Sequence, residues 1–205
     1  MGTTEGNLGS ILRERVEVLA LRQDAAGNYA WAPVRARGAA IEQGERTNLF
    51  SKIGLGARSA TVTIRRDPAL TLHHALRWRG QHLFLTAVSG GEHDGKQTVQ
   101  TAIVEPTMLT AKPQAVKSRD ALNRPTVEAV AAYTFPGVLT ELYRREAEDG
   151  APITERVQRV LVTPKEIRLK RGDLVNDGDT TWVVVRVLPL DPYKQEYVIE
   201  MQEDA

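Results

Sequence analysis

Apolar and polar residues alternate along much of the chain. Val16 and Val18, with Ala20 beyond them, share one face of the stretch that begins at Arg15, a period near two that predicts a strand. The turn Asp24–Asn28, with Gly27 in it, leads to Tyr29–Trp31 and Val34–Ile41, so the opening reads as a hairpin. Val62 and Ile64 then face one way while Thr61, Thr63 and Arg65 face the other, and Asp67-Pro68 ends the run because proline cannot donate to a ladder. Leu76–Val88 reads as two strands around a turn at Gly80. A turn through Gly90–Gly95 leads into a closing strand from Gln97 to Val104, and Glu105-Pro106 ends the unit. The expectation is a small antiparallel β-barrel or sandwich over residues 11–107.

Residues 42–58 interrupt this pattern. Glu45–Ile53 has the length of two helical turns between glycines, a short helical excursion from the barrel, though so short a helix nucleates poorly alone. Residues 108–135, broken by Pro113 and Pro125, read as a connector with a short apolar helix over Thr126–Tyr133, where Thr126 is the candidate cap. The first unit's order then recurs over 136–203. Val138–Arg144 and Ile153–Val162 flank a turn at Gly150, Thr163-Pro164 stands where Asp67-Pro68 stood, and Leu174–Val187 folds back around Gly178. Gln195–Gln202 closes the second unit. The fold class expected is therefore all-β: two small antiparallel units in tandem, the second a candidate duplicate that lacks a counterpart of 42–58.

Composition narrows the chemistry. The 205 residues contain no cysteine, which removes disulfides, thiolate metal sites and a cysteine nucleophile together. The net charge is +1, with 13 Lys/Arg against 10 Asp/Glu before residue 108 and 14 against 16 after it. Neither half is a dedicated nucleic-acid surface. There is no apolar run of membrane-spanning length and no basic-then-apolar leader, so a soluble, unsecreted protein with no membrane partner is expected.

Candidate motifs mostly dissolve under inspection. Gly90 to Lys96 has the spacing of a phosphate-binding loop as far as the lysine, but Gln97 stands where Ser or Thr would hold magnesium, and a strand follows instead of a helix. The histidines His73, His74, His82 and His93 form no metal-ligand spacing. Asp177-Gly178-Asp179 has too few ligands for calcium and reads as a turn. No Gly-x-Ser-x-Gly occurs, so no cofactor, no metal and no enzymatic activity are expected. The basic pairs Arg35/Arg37, Arg65/Arg66 and Arg77/Arg79, and the cluster Arg168/Lys170/Arg171, read as solvated or edge-protecting strand faces, with contact to DNA phosphates or an acidic partner as the other reading.

Four motifs of the first half occur in a familiar order: Trp31 to Val34, Ala39 to Glu45, Ser59 to Arg65, and Trp78 to Phe84. In order and spacing they resemble the tailed-phage head–tail joining family, also called head-closure or stopper proteins. The match stops near residue 107, and Ala60 stands where that family often has histidine. The resemblance implies a structural protein of the virion neck, assembled in the host cytoplasm. It would form a homo-oligomeric ring of six or twelve subunits between a portal or adaptor protein and a tail or tail-terminator protein, with double-stranded DNA passing through its centre. It also implies that the 42–58 loop, with Glu42, Glu45, Arg46, Leu49, Phe50, Lys52 and Ile53, faces a neighbouring subunit or the channel. The turn glycines would be Gly27, Gly80, Gly95, Gly150 and Gly178. The alternatives are an oligonucleotide-binding module of two barrels, which needs aromatics aligned on one exposed face, and a tail-terminator-like ring protein.

Overall fold

β-Branched residues at alternate positions form strands throughout, and in a computed structural model the strands close into two barrels. The structure describes residues 12–47, 57–90, 95–119, 125–146 and 154–202, and none of these is helical. The chain divides into two compact units, one around each barrel.

The first barrel contains β1 (Glu14–Gln23), β2 (Tyr29–Thr47), β3 (Ala57–Arg65), β4 (His74–Trp78), β5 (Gln81–Ser89) and β6 (Lys96–Val104). Its strand order is β1-β2-β3-β6-β5-β4, closed where β4 pairs back onto β1. Val18, Leu76 and Leu83 stand in one cross-strand row, and Ile41, Val62, Val99 and Val88 in another. These rows fill the interior with Val16, Ala39, Ile64, Leu85 and Trp78. Thr61 and Thr63 point the other way, as the alternation requires.

The second barrel contains β7 (Thr107–Lys112), β10 (Tyr133–Glu146), β11 (Thr154–Pro164), β12 (Leu174–Asn176), β13 (Thr181–Pro189) and β14 (Lys194–Met201). Its order is β7-β10-β11-β14-β13-β12, closed by β12 on β7. Leu109, Ala111, Phe135, Leu161, Val175, Val184, Tyr197 and Ile199 are buried. Gly137 is glycine because a Cβ there would stand 2.6 Å from Leu161 Cδ1 and 2.8 Å from Leu109 Cδ1. The strand orders of the two barrels are the same once β7 is set against β1. The second barrel differs by an inserted two-stranded ribbon, β8 (Gln114–Arg119) with β9 (Pro125–Ala129), at the place where the first has only the Asp24–Asn28 turn.

Four expectations are corrected. Glu45 to Thr47 are strand, not the start of a helix. A bulge between Gln43 and Arg46 carries the β2–β3 pair past Gly44, whose missing side chain leaves room for Ser59 Oγ, on to Arg46 opposite Arg58. The rest of that excursion, 48–56, lies outside the described residues. Thr126–Tyr133 is not a helix either: β9 runs to Ala129 and β10 begins at Tyr133. The expected connector 108–135 is not one: β7 within it closes the second barrel and β8–β9 form a ribbon, while Glu105-Pro106, before it, joins the barrels. Finally, the hairpin through Val138–Arg144 is β10–β11, so it corresponds to β2–β3 and not to the opening hairpin. In chain order, 147–153 between β10 and β11 therefore stand where 48–56 stand between β2 and β3, and both segments lie outside the described residues.

Candidate functional site

The arginines that read as surface pairs build the most structured polar site of the first barrel. Arg35 and Arg37 lie two apart on β2 and so share a face. Both reach Asp67, just past the end of β3: Arg35 Nε donates to Asp67 Oδ2 at 2.6 Å, and Arg37 Nη2 stands 3.1 Å from the same oxygen. Asp67 Oδ1 accepts from the Ala69 amide at 3.1 Å, and the Asp67 amide donates to Gln97 Oε1 at 2.9 Å. The Asp67 side chain is only 4% exposed. Burial alone would raise its carboxyl, but the hydrogen bond and charge of Arg35, the Ala69 amide and Arg37 together hold it below the usual aspartate value. Two guanidinium groups share one carboxylate, and Arg35 Nη2 is buried without a hydrogen-bond partner. A closed barrel has no edge, so these arginines do not protect one. The Arg-x-Arg followed by an Asp-Pro turn was the sequence signal for this site, and alternation alone could not bring the two together.

Beyond the ion pair lies a groove of about 440 Å3, lined by Leu12, Ala36, Arg37, Gly38, Arg65 and Arg66. Arg65 and Arg66 are exposed. The Arg66 backbone is held by its amide donating to Gly95 O at 2.9 Å.

A second cluster packs Trp31, His82 and Phe84, with ring centroids 5.2 to 6.3 Å apart. Trp31 Nε1 and His82 Nε2 are buried without partners. Burial, aided by the charge of Arg77, lowers His82 to about 4, so its ring is neutral near pH 7. Trp78 donates through Nε1 to Glu14 Oε2 at 3.1 Å and carries Arg79 over its ring. Trp182 donates to Asp177 Oδ2 at 3.1 Å. Each tryptophan is therefore committed to local packing, and the described residues present no row of exposed aromatics.

The remaining candidates scatter. Glu42 is exposed on β2, opposite Thr61. Glu45 and Arg46 follow on the same strand, while Leu49, Phe50, Lys52 and Ile53 lie outside the described residues. Gly27, Gly80, Gly95 and Gly178 occupy turns with positive φ, as does Gly172, which no hairpin pattern marks in the sequence. Gly150 lies outside the described residues. Asp177 accepts from the Asp179 and Thr180 amides, the turn chemistry expected of Asp-Gly-Asp. Arg77 and Arg79 meet Glu17 and Glu14 at 3.4 and 2.6 Å. Arg168, Lys170 and Arg171 are exposed, alternating with buried Ile167 and Leu169. Among the described residues no group of three or more histidine and carboxylate side chains is placed to hold a metal, and no helix is long and apolar enough to cross a membrane.

No family model and no curated protein matches the chain. Among solved structures, a crystal form of K. pneumonia MrkH is similar to it at 12% identity, covering 95% of this chain and 80% of that one. The TM-score of that similarity is 0.19, too low to carry an argument about fold or function.

Proposed function

We propose that the protein is a ring-forming structural component of a tailed-phage neck, a head–tail connector of the head-closure, adaptor or terminator kind. The observation that carries this reading is the repeated barrel in which β2–β3 and β10–β11 form long hairpins. β2 runs 19 residues and β10 runs 14, against 3 to 9 for the strands that complete each barrel beyond those hairpins and the opening strand. Of the two, the β10–β11 hairpin outruns its barrel: Leu142–Glu146 pair with Thr154–Gln158, while β14 meets β11 only from Arg159 to Pro164, and such an extension is suited to reach a neighbouring copy. The β8–β9 ribbon adds a second such element, since an isolated two-stranded ribbon gains little stability alone. The four motifs shared with head–tail joining proteins give the reading its direction. On it, portal or adaptor and tail proteins are the axial neighbours, and double-stranded DNA passes through the ring.

The oligonucleotide-binding alternative draws less support, because the three tryptophans are occupied in packing. The deciding experiment is a native mass measurement of the purified chain, alone and with a portal complex. Rings of six or twelve copies are expected, and a variant with 48–56 replaced by a short Gly-Ser linker should stay folded as a monomer and lose the ring. A chain that remains monomeric in both conditions would sink the proposal.

A further inference from the structure

We propose that the arginine-lined groove on β2 and β3 is an anion site that takes a phosphate-bearing small ligand. Three features converge there. The first is an excess of fixed positive charge. Of the residues that line the groove, Arg37 has only a share of Asp67, which Arg35 outside it also holds, and neither Arg65 nor Arg66 meets a carboxylate among the described residues. Lys96, opposite Arg65 in the β3–β6 register, adds a further cation on the same face. This local surplus stands out in a chain whose net charge is +1.

The second feature is preorganisation. Arg37 is held from two sides, by Asp67 and by its Nη1 donating to Ala36 O at 3.2 Å, so part of its rotamer entropy is lost before any ligand arrives. The Arg66 backbone is tied to the turn at Gly95. Planar guanidinium forks that diverge around a cleft match the tetrahedral oxygens of phosphate better than a lone carboxylate, which one arginine satisfies. The third feature is space. Pairing of Ala39 with Ile64 puts Gly38 beside Arg65; Leu12 packs over Gly38, where a Cβ would stand 3.4 Å from Leu12 O and 3.5 Å from Leu12 Cβ, and Ala36 and Gly38 leave the rest of the floor without long side chains. A volume of about 440 Å3 exceeds a single phosphate and falls within the range of small-ligand sites. The ligand's phosphate is free, as in pyrophosphate, or borne by a nucleotide.

The groove's chemistry does not depend on ring assembly, so it is tested on the full chain by calorimetric titration at low salt with sodium pyrophosphate and, separately, with ATP. Pyrophosphate should bind with a dissociation constant under about 1 mM, and Arg65→Ala/Arg66→Ala should weaken it at least roughly tenfold. Those two side chains are exposed, so the variant should melt like the wild type. Gly38→Val keeps every charge but fills the floor, and it should weaken binding comparably. ATP binding roughly tenfold tighter than pyrophosphate, with the same sensitivity to both variants, would make the ligand a nucleotide; equal affinities would make it phosphate alone. Should Gly38→Val fail to fold, the double arginine variant decides. Absence of binding by either probe, or binding that the double variant retains, overturns the site.

Discussion

Both barrels face the same construction problem after their third strand, and they solve it with different chemistry. In each, the chain leaves that strand beside the start of the closing strand. The Arg66 amide donates to Gly95 O and the Lys165 amide to Tyr193 O, each at 2.9 Å. Each closing strand begins Lys-Gln, at Lys96-Gln97 and Lys194-Gln195. The glutamine lies opposite Ile64 in the first barrel and opposite Thr163 in the second. In the first barrel the segment that follows is held by charge, Asp67 against Arg35 and Arg37. In the second it is held by a neutral phenol. Tyr197 is 1% exposed; its hydroxyl donates to Ile167 O at 2.7 Å and accepts from the Leu169 amide at 3.1 Å. Burial raises the Tyr197 hydroxyl above its ordinary value, so it stays protonated across the working range. One topology thus tolerates an ionic latch and a neutral one, and only the ionic one answers to pH.

The sharpest way to break this contrast is to remove Asp67. Asp67→Ala strands two arginines around a half-buried space, and the loss should be about 3 kcal/mol, the low end for breaking a buried pair because Arg37 remains partly wet. Amide exchange should accelerate at Ala69 and Leu70 and stay unchanged at Leu169. Equal acceleration at Leu169 would mean that the latches are not local.

Acid comes next. Among the described histidines, His73, His74 and His82, it is His82 whose value burial lowers furthest. Its folded value of about 4 lies below its ordinary value of 6.5, so the unfolded chain binds the extra proton between those limits. Stability is complete above pH 6.5 and falls as pH drops toward 4, by about 2 kcal/mol given the ring's residual exposure. Glu196, whose carboxyl burial raises, acts in the opposite sense above 4.5, so the measured quantity is the difference between wild type and His82→Phe. Asp67 gives its full stabilisation above the ordinary aspartate value and loses it only as pH falls from there through its lowered folded value. A denaturation series from pH 7 to pH 4 that is parallel for wild type and His82→Phe would remove His82 as the source.

Strand alternation made most of this architecture legible. The rows Val16/Val18 and Val62/Ile64 are core in the structure as in the pattern. What alternation cannot carry is which strand pairs with which. Val138–Arg144 looks like any first strand of a hairpin, and only closure by β7 shows it to be the second of its barrel. The short helices failed for a related reason. Glu45–Ile53 and Thr126–Tyr133 have weak local preference, and pairing with a neighbouring strand outweighs it at Glu45–Thr47 and at Thr126–Ala129. The polar site was half visible. Arg35, Arg37, Arg65 and Arg66 stand out in the sequence, but Asp67 shows there only as half of a strand-ending Asp-Pro, because its partners are 30 and 32 residues away.

On the neutral side, Tyr197→Phe keeps the ring and removes the hydroxyl, leaving Ile167 O and the Leu169 amide without their buried partner. The expected loss is about 1.5 kcal/mol. Exchange should now accelerate at Leu169 and not at Ala69, the mirror of the Asp67 result, and the loss should be the same at pH 5 and pH 7 because no titration is involved. A pH-dependent loss would show that the second latch is not neutral in effect.

The smallest and most discriminating change exploits the paired glutamines. Gln97 Oε1 accepts from the Asp67 amide at 2.9 Å, whereas Gln195 Oε1 accepts from Lys165 Nζ at 2.9 Å and its Nε2 donates to Leu188 O at 2.6 Å. Glutamine to glutamate is nearly isosteric, so the two variants differ mainly in what the new charge meets. In Gln97→Glu a second carboxylate arrives beside Asp67, whose single charge the two arginines already share, and like-charge repulsion in a partly buried site should cost roughly 1 kcal/mol. In Gln195→Glu the carboxylate meets the Lys165 ammonium, and that ion pair should offset most of the lost donor to Leu188 O, leaving stability within about 0.5 kcal/mol of wild type. Equal losses in the two variants would mean that the electrostatic difference between the barrels is too weak to govern these positions. A larger loss for Gln195→Glu would show that its bond to Leu188 O matters more than the charge on Lys165.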